Sequence, residues 1–160
     1  MRAAPRWCSA RGFLERPKVG LPSYVVAGTW VAHATAPITL TFQLGEFPLE
    51  FRIHNAIISA KVSGPAAKGG IIAGVLDPEE VLPVFAKVAG AIYAPLCDPV
   101  DFESIAVQVR ATSDIMLDGS NGDPTQICNG ISLGIGFDAA AVQLGPLVPP
   151  APDLPDPCAG

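Results

Sequence analysis

The residues best suited to binding a metal ion form one short acidic segment, in which Asp114, Asp118 and Asp123 surround the side-chain oxygens of Ser120 and Asn121. A helix through Asp114 and Asp118 would place both carboxylates on one face. The glycine-rich loop that follows would bring Asp123 towards them, and oxygen ligands of this kind suit calcium. The spacing differs from that of the helix-loop-helix calcium motif, and Asp, Asn and Gly also dominate ordinary turns. We favour simple helix termination here, with structural calcium at Asp114, Asp118 and Asp123 as the weaker prediction and no other cofactor.

Two histidines are the remaining candidates for acid and base chemistry. His33 and His54 fall on predicted strand or turn positions, and neither has the partner four residues away that a helical metal site requires. The sequence contains no phosphate-binding loop, dinucleotide fingerprint or serine-hydrolase elbow. We therefore predict no catalytic residue. The alternative is a hydrolase in which Asp114 and Asp118 act with a histidine that folding brings close.

Four cysteines, Cys8, Cys97, Cys128 and Cys158, permit three pairings. None of their spacings is the short one that zinc sites use. Cys97 precedes the second predicted helix and Cys128 precedes the last predicted strand. A bond between them would hold that helix and the loop over residues 118–124, which we call the acidic loop, on the sheet. We predict a Cys97–Cys128 disulfide, with buried free thiols in a cytosolic protein as the alternative.

Length and composition limit the class of protein. The chain of 160 residues has the length of one domain, and its 16 glycines and 17 prolines favour turn-rich β structure over a helical bundle. Its formal net charge of −5 argues against a nucleic-acid partner, because phosphate binding requires a cationic surface. Residues 19–45 contain no charged residue, but prolines and polar residues interrupt them, so we predict no transmembrane helix.

The strongest local pattern is an alternation of apolar and polar residues along residues 38–44 and again along 47–53. This is the period of strands with one buried face, and Gly45 is suited to the first position of a two-residue type II′ turn. The implied register places Leu44 opposite Phe47 and Ile38 opposite Ile53, with every apolar residue of the pair on one face. The pattern predicts a β-hairpin.

Further strands and two helices complete the predicted fold. We predict strands over residues 24–31, 71–76 and 131–144, and a bulge near Asn55 where the apolar positions change parity. Capping signals at Asp77 and Asp98 begin two helices. The first should end near Tyr93, and an apolar stripe continues the second to about Met116. The predicted fold class is α+β, with a curved antiparallel β-sheet or half barrel covered by two α-helices.

The ends of the chain differ in composition from its middle. Half of the ten Lys and Arg residues lie within residues 1–18, which contain no apolar run of the length of a secretory signal. A misplaced start codon or a fragment of a longer gene product explains this segment best, with a free interaction arm as the alternative. We predict a basic irregular segment over residues 1–22, one α+β domain over 23–145 and a Pro-rich tail over 146–160.

The run from Ala111 to Gly119, the run from Cys128 to Phe137 and the Pro-rich tail ending in Cys158 resemble an uncharacterised family of exported or lipid-anchored proteins from predatory soil bacteria. The likeness covers residues 36–145. It implies an extracytoplasmic location, reached through a lipoprotein or secretory signal, and it implies no activity.

These observations favour a non-enzymatic exported module over an enzyme. We expect it either to hold a small apolar ligand between the sheet and the helices or to present a surface to a protein partner. The apolar face of the hairpin and the apolar stripes of the helices are the reasons for this expectation. The hydrolase built on Asp114, Asp118 and a recruited histidine is the alternative.

Overall fold

A computed structural model of the chain describes residues 21–45, 47–121, 123–143, 145–146 and 157–158. The strands in this part of the chain are β1 Ser23–Val26, β2 Thr29–His33, β3 Ile38–Leu44, β4 Phe47–Ser63, β5 Ala66–Leu76 and β6 Ile131–Ala140. The helices are α1 Pro78–Ile92 and α2 Pro99–Ala111, joined by a short 3-10 helix, Ala94–Cys97. The predicted α+β class is confirmed: the strands form an open six-stranded antiparallel sheet and two α-helices accompany it.

The long strand β4 organises the sheet. The strand order is β1-β2-β4-β5-β6, and β3 also pairs with β4. β2 pairs with the second half of β4 and β3 with its first half, so these two strands succeed each other along one partner. The predicted hairpin is confirmed in its register, from Leu44 opposite Phe47 to Ile38 opposite Ile53.

Two irregularities bend the strands at defined positions. The predicted bulge is confirmed: the pairing of β4 with β5 shifts between His54 and Ile57, and Asn55 has a φ of 50°. The predicted single strand over residues 24–31 is wrong, because the chain turns back at Ala27 and Gly28 to make the β1–β2 hairpin. Both turn residues have positive φ, 47° and 78°, which is the geometry of a type I′ turn. Alanine is not typical of that turn, so the sequence signal was weak.

The first helix follows its sequence signals. The Asp77 carboxylate accepts a hydrogen bond from the Glu79 N–H at 2.9 Å, which caps the helix, and Pro78 occupies its first turn. α1 ends at Ile92, with Tyr93 as its C-cap. The predicted bounds of this helix are confirmed.

The second helix is shorter than the apolar stripe predicts. α2 ends at Ala111, and the backbone N–H groups of Asp114 and Ile115 bond to the Gly130 carbonyl at 3.0 and 3.2 Å. The segment therefore crosses to the residue before β6 and forms an antiparallel bridge there, instead of continuing the helix. The prediction that Asp114 and Asp118 share a helical face is wrong for this reason.

The core lies where the two halves of β4 meet. Ile53 and Ala56 lie on either side of the bulge, and both pack with Ala34. Ile53 is completely buried. Gly74 of β5 permits this packing, since a Cβ there would meet the Ile53 side chain. The helices cover the face of the sheet that carries Ile53, while Ile57 and Ile71, on the opposite face, remain about half exposed.

A disulfide joins the connection between α1 and α2 to the C-terminal part of the chain. Cys97 is bonded to Cys158, with Cα atoms 5.3 Å apart, and Cys128 has a free thiol. The predicted Cys97–Cys128 pair is therefore wrong. The backbone of α1 makes room for the bond at Gly90, where a Cβ would collide with both sulfur atoms.

No helix among the described residues is long and apolar enough to cross a membrane. Residues 1–20, within the predicted basic segment of residues 1–22, lie outside the described residues. The predicted division into that segment, a domain over 23–145 and a tail over 146–160 stays a prediction.

Candidate functional site

An apolar cavity of about 640 Å³ lies between the sheet and the two helices. Its lining comes from four strands, both helices and the residue after α2: Phe42, Phe51, Leu76, Val81, Phe85, Ile105, Gln108, Val109, Thr112, Ile131, Leu133 and Ile135. All but Gln108 and Thr112 are apolar. We call this space the apolar cavity.

Strand alternation supplies the floor of the apolar cavity. Ile131, Leu133 and Ile135 lie at every second position of β6, so their side chains share the face that the helices cover. Leu76 of β5 pairs with Ile131 in the same register and adds to this row. The residues between them on β6 are exposed on the other side of the sheet.

Helical periodicity supplies the roof. Val81 and Phe85 on α1, and Ile105 and Val109 on α2, are spaced four residues apart, so each pair lies on one helical face. Helix and strand meet at one end through aromatic rings. The Phe51 ring lies 5.9 Å from that of Phe42 and 6.1 Å from that of Phe85, the latter edge to face. Such contacts fix the ring positions and give this end of the cavity a defined shape.

Gln108 and Thr112 form the polar part of the lining, and both are exposed, Gln108 on α2 and Thr112 directly after it. The Gln108 side-chain amide N–H donates to the Ser104 carbonyl at 3.2 Å. The Thr112 hydroxyl donates to the Val109 carbonyl at 2.7 Å. These groups lie one helical turn apart and place polar oxygens at the solvent side of an otherwise apolar space.

Ion pairs fasten the two helices where α1 begins and α2 ends. Arg110 donates from Nε and Nη2 to the Glu79 carboxylate at 2.7 and 3.1 Å, and from Nη1 to Glu103 at 3.2 Å. The hydrogen bonds from Arg110 lower the pKa of Glu79, and the same bonds raise the pKa of Arg110. These groups are exposed, so their role is to orient the helix ends more than to add stability.

A second ion pair joins α1 to the strand beneath it. Glu80 accepts a hydrogen bond from Arg52 Nη1 at 2.7 Å and lies 2.8 Å from His54 Nε2. The His54 ring is mostly covered and contacts the helix. Adjacent glutamates on α1 therefore hold two different elements: Glu79 is paired with α2 and Glu80 with β4.

The predicted calcium ligands each have a local partner. The Asp114 carboxylate accepts from the Ser132 N–H at 2.7 Å and from its hydroxyl at 2.6 Å, which fastens the loop to β6. Asp118 accepts from the Ser120 N–H at 2.8 Å, and Asp123 accepts from the N–H and hydroxyl of Thr125 at 2.9 and 2.6 Å. Hydrogen bonds from these neighbours lower the pKa of all three carboxyl groups.

The structure does not gather these carboxylates into one site. In the part of the chain that the structure describes, no three His, Cys, Asp or Glu side chains are grouped so as to hold a metal ion. Asp118 and Asp123 have the geometry of turns in which an Asp side chain accepts from the backbone N–H two residues ahead, whereas Asp114 accepts from Ser132 on β6. The hydrolase alternative also gains no support, because His54 is engaged with Glu80 and Asp114 with Ser132.

The sequence identified most of the apolar lining and missed its polar part. The hairpin pattern, the helical stripes and the last strand contain every apolar lining residue except Leu76, which ends the predicted strand over residues 71–76. Gln108 and Thr112 carried no signal of their own. Comparison with protein-family models, with curated proteins and with solved structures found no match to this chain.

Proposed function

We propose that the protein is a non-enzymatic, exported module that binds one small apolar molecule in the apolar cavity. The observation that carries the proposal is the size and lining of that cavity. Its volume of about 640 Å³ falls in the range of small-molecule sites, roughly 300–1,000 Å³. Apolar walls with a few polar groups are the usual composition of such sites.

Burial of apolar surface is the driving force that this lining offers. Each methylene group moved from water into such an environment contributes about 0.8 kcal/mol, which corresponds to roughly fourfold in affinity. Affinity should therefore rise with the length of a linear ligand until the cavity is full. An amide and a hydroxyl are the polar side-chain groups of the lining, which favours binding over bond-breaking chemistry.

The disulfide supports the exported part of the proposal. A bond between Cys97 and Cys158 persists most readily in an oxidising compartment such as the cell exterior or the periplasm. The resemblance to exported or lipid-anchored proteins points to the same compartment.

Titration with a neutral environment-sensitive dye, Nile red, tests the binding function. We expect saturable binding to the purified full chain with increased dye fluorescence. The decisive variant is Val109→Trp, because Val109 lines the cavity on α2 and a larger ring there occupies its volume. Its dissociation constant for Nile red should rise at least about tenfold, equivalent to about 1.4 kcal/mol.

Val107→Trp is the matched control on the same helix. Val107 is 56% exposed and is not part of the lining, so this variant should bind Nile red as the native chain does. Thermal unfolding followed by circular dichroism verifies that both variants fold. Equal loss of binding in the two variants, equal retention in both, or no saturable binding to the native chain would refute the proposal.

A further inference from the structure

We propose that the ligand of the apolar cavity is a neutral molecule with a hydroxyl group that donates a hydrogen bond to α2, in other words a long-chain or ring alcohol and not a fatty acid. The inference rests on the proposed binding function and deepens it. It is drawn from the hydrogen-bonding state of Gln108 and Thr112 and from the absence of a cation in the described lining.

Both polar lining groups donate a hydrogen to a carbonyl of α2. One of the two Gln108 amide hydrogens is directed to the Ser104 carbonyl, which leaves the second N–H able to donate, and the Thr112 hydroxyl hydrogen is directed to the Val109 carbonyl. Since a carbonyl oxygen only accepts, the side-chain oxygen of Gln108 is turned away from Ser104. Neither Gln108 Oε1 nor Thr112 Oγ accepts a hydrogen bond from any residue that the structure describes.

The cavity therefore presents two acceptor oxygens, one helical turn apart, and the second N–H of Gln108, above apolar walls. A ligand hydroxyl has a hydrogen to donate and satisfies such an oxygen. An ether or ester oxygen has no hydrogen, so it can accept from the second Gln108 N–H but can pair with neither acceptor oxygen. A carboxylate is acceptor-only as well and has the same limit, whereas a hydroxyl group can both donate and accept.

Charge excludes a carboxylate for a second reason. No cationic side chain is among the described lining residues, so an anion would lose hydration without gaining an opposite charge. The nearest cation in sequence is Arg110, between lining residues Val109 and Thr112. It is already held by Glu79 and Glu103, whose combined charge exceeds its own.

Three linear competitors of similar size separate these cases: decanol, its isomer methyl nonyl ether, and decanoate. Each displaces Nile red from the full-length oxidised protein at neutral pH, and its inhibition constant is measured. Apolar burial alone favours the ether, which is the least soluble in water. We expect the opposite order, with decanol binding about fivefold more tightly than the ether, the effect of one net hydrogen bond. Decanoate should bind at least as weakly as the ether.

Variants of the two acceptors assign the preference to α2. Gln108→Met keeps side-chain length and removes the whole amide, acceptor and donor together, so decanol should lose more affinity than the ether and the preference for decanol should fall. Thr112→Val should act in the same direction, whereas Thr112→Ser, which keeps the hydroxyl, should retain the native preference.

The outcomes distinguish failure of the ligand class from failure of the binding function. Equal affinity for the three competitors, tighter binding of the ether or decanoate, or an alcohol preference that survives in both Gln108→Met and Thr112→Val would overturn the alcohol inference. The binding function would stand in each case, since Nile red is still displaced from a cavity that Val109→Trp closes. Loss of that Val109→Trp effect overturns both.

Discussion

Ala27 has an unfavourable backbone conformation for its side chain. Its φ of 47° lies in the left-handed region, where a Cβ approaches the following carbonyl oxygen, and it is followed by Gly28 with a φ of 78°. Asparagine and glycine adopt this conformation at lower cost than alanine and are preferred in type I′ turns. Replacement at this position should therefore change stability without altering any packed contact.

We expect Ala27→Asn to stabilise the protein by about 1 kcal/mol, because it creates the preferred Asn-Gly turn between β1 and β2. Ala27→Val, which adds a branched Cβ to a positive φ, should destabilise it. Denaturant unfolding of the three proteins measures both changes. A destabilising effect of the asparagine would contradict the assigned turn geometry.

Asp114 fastens the loop after α2 to the start of β6 through both oxygens of its carboxylate. Hydrogen bonds from Ser132 lower the pKa of Asp114 in the folded protein, so the folded state binds a proton less readily than the unfolded state does. The stabilisation is therefore complete above the ordinary aspartate pKa of about 3.9 and is lost as pH falls through the folded value.

Asp114→Asn removes the titration and weakens the pairing with Ser132. We expect this variant to unfold at a lower temperature than the native chain near pH 7, and the difference should shrink as the pH is lowered towards 3. Glu50→Gln on the exposed side of β4 serves as control and should show neither effect. A temperature difference that stays constant from pH 7 to 3 would show that the charge of Asp114 is not what holds the loop.

The elements of this fold differ in how far the sequence alone specifies them. The β3–β4 hairpin follows from local alternation and a two-residue turn, so even its register was predictable, and a one-residue slip would expose every apolar side chain. The end of α2 was not predictable, because residues with helical spacing continue beyond Ala111, through Ser113 to the apolar Met116. What ends the helix is a bridge from Ile115 to Gly130, a contact between distant parts of the chain.

The sequence predicts most of the residues that line the apolar cavity, but it does not predict that a space remains between them. The face of each lining strand and helix follows from its own periodicity. The space left between them depends on how α1 and α2 are held, by the Glu79–Arg110 pair and by the Phe51–Phe85 contact. The cysteine pairing was not predictable either, because the spacing of cysteines along the chain does not indicate which of the three pairings forms.

The close approach of α1 to the disulfide provides a test at the scale of the element. In the native chain, Gly90→Ala should be destabilising, because the new Cβ collides with the sulfurs of Cys97 and Cys158. In a Cys97→Ala, Cys158→Ala background the collision is absent. There the same change should stabilise the protein by about 1 kcal/mol, since alanine is the better helix former.

Urea unfolding of the four proteins measures the effect of Gly90→Ala on the free energy of unfolding in each background, and we expect this effect to change sign. The comparison is a thermodynamic cycle, so it does not depend on the absolute stability of any one variant. Gly90→Ala effects of the same sign in both backgrounds would mean that the disulfide does not lie against α1 at Gly90.

For the whole molecule, the Cys97–Cys158 bond determines which parts of the chain are held together. It closes a loop over a sequence separation of 61 residues that contains α2, the acidic loop and β6. In the chain-entropy description, a crosslink of this length stabilises the folded state by about 4 kcal/mol, mainly by restricting the unfolded chain. A large part of the stability of a domain of this size should therefore depend on oxidation.

Single cysteine replacements distinguish this pairing from the alternative that the sequence suggested. Cys158→Ala and Cys97→Ala should each lower the unfolding free energy by about 4 kcal/mol, and a reducing agent should produce the same loss in the native chain. Cys128→Ala should leave both the oxidised stability and the effect of reduction nearly unchanged, because that thiol is free. If Cys128→Ala proved as costly as Cys97→Ala while Cys158→Ala cost little, Cys97 would be bonded to Cys128, shortly before β6, and not to Cys158. The start of α2, a helix that lines the apolar cavity, would then be fixed to the loop before β6.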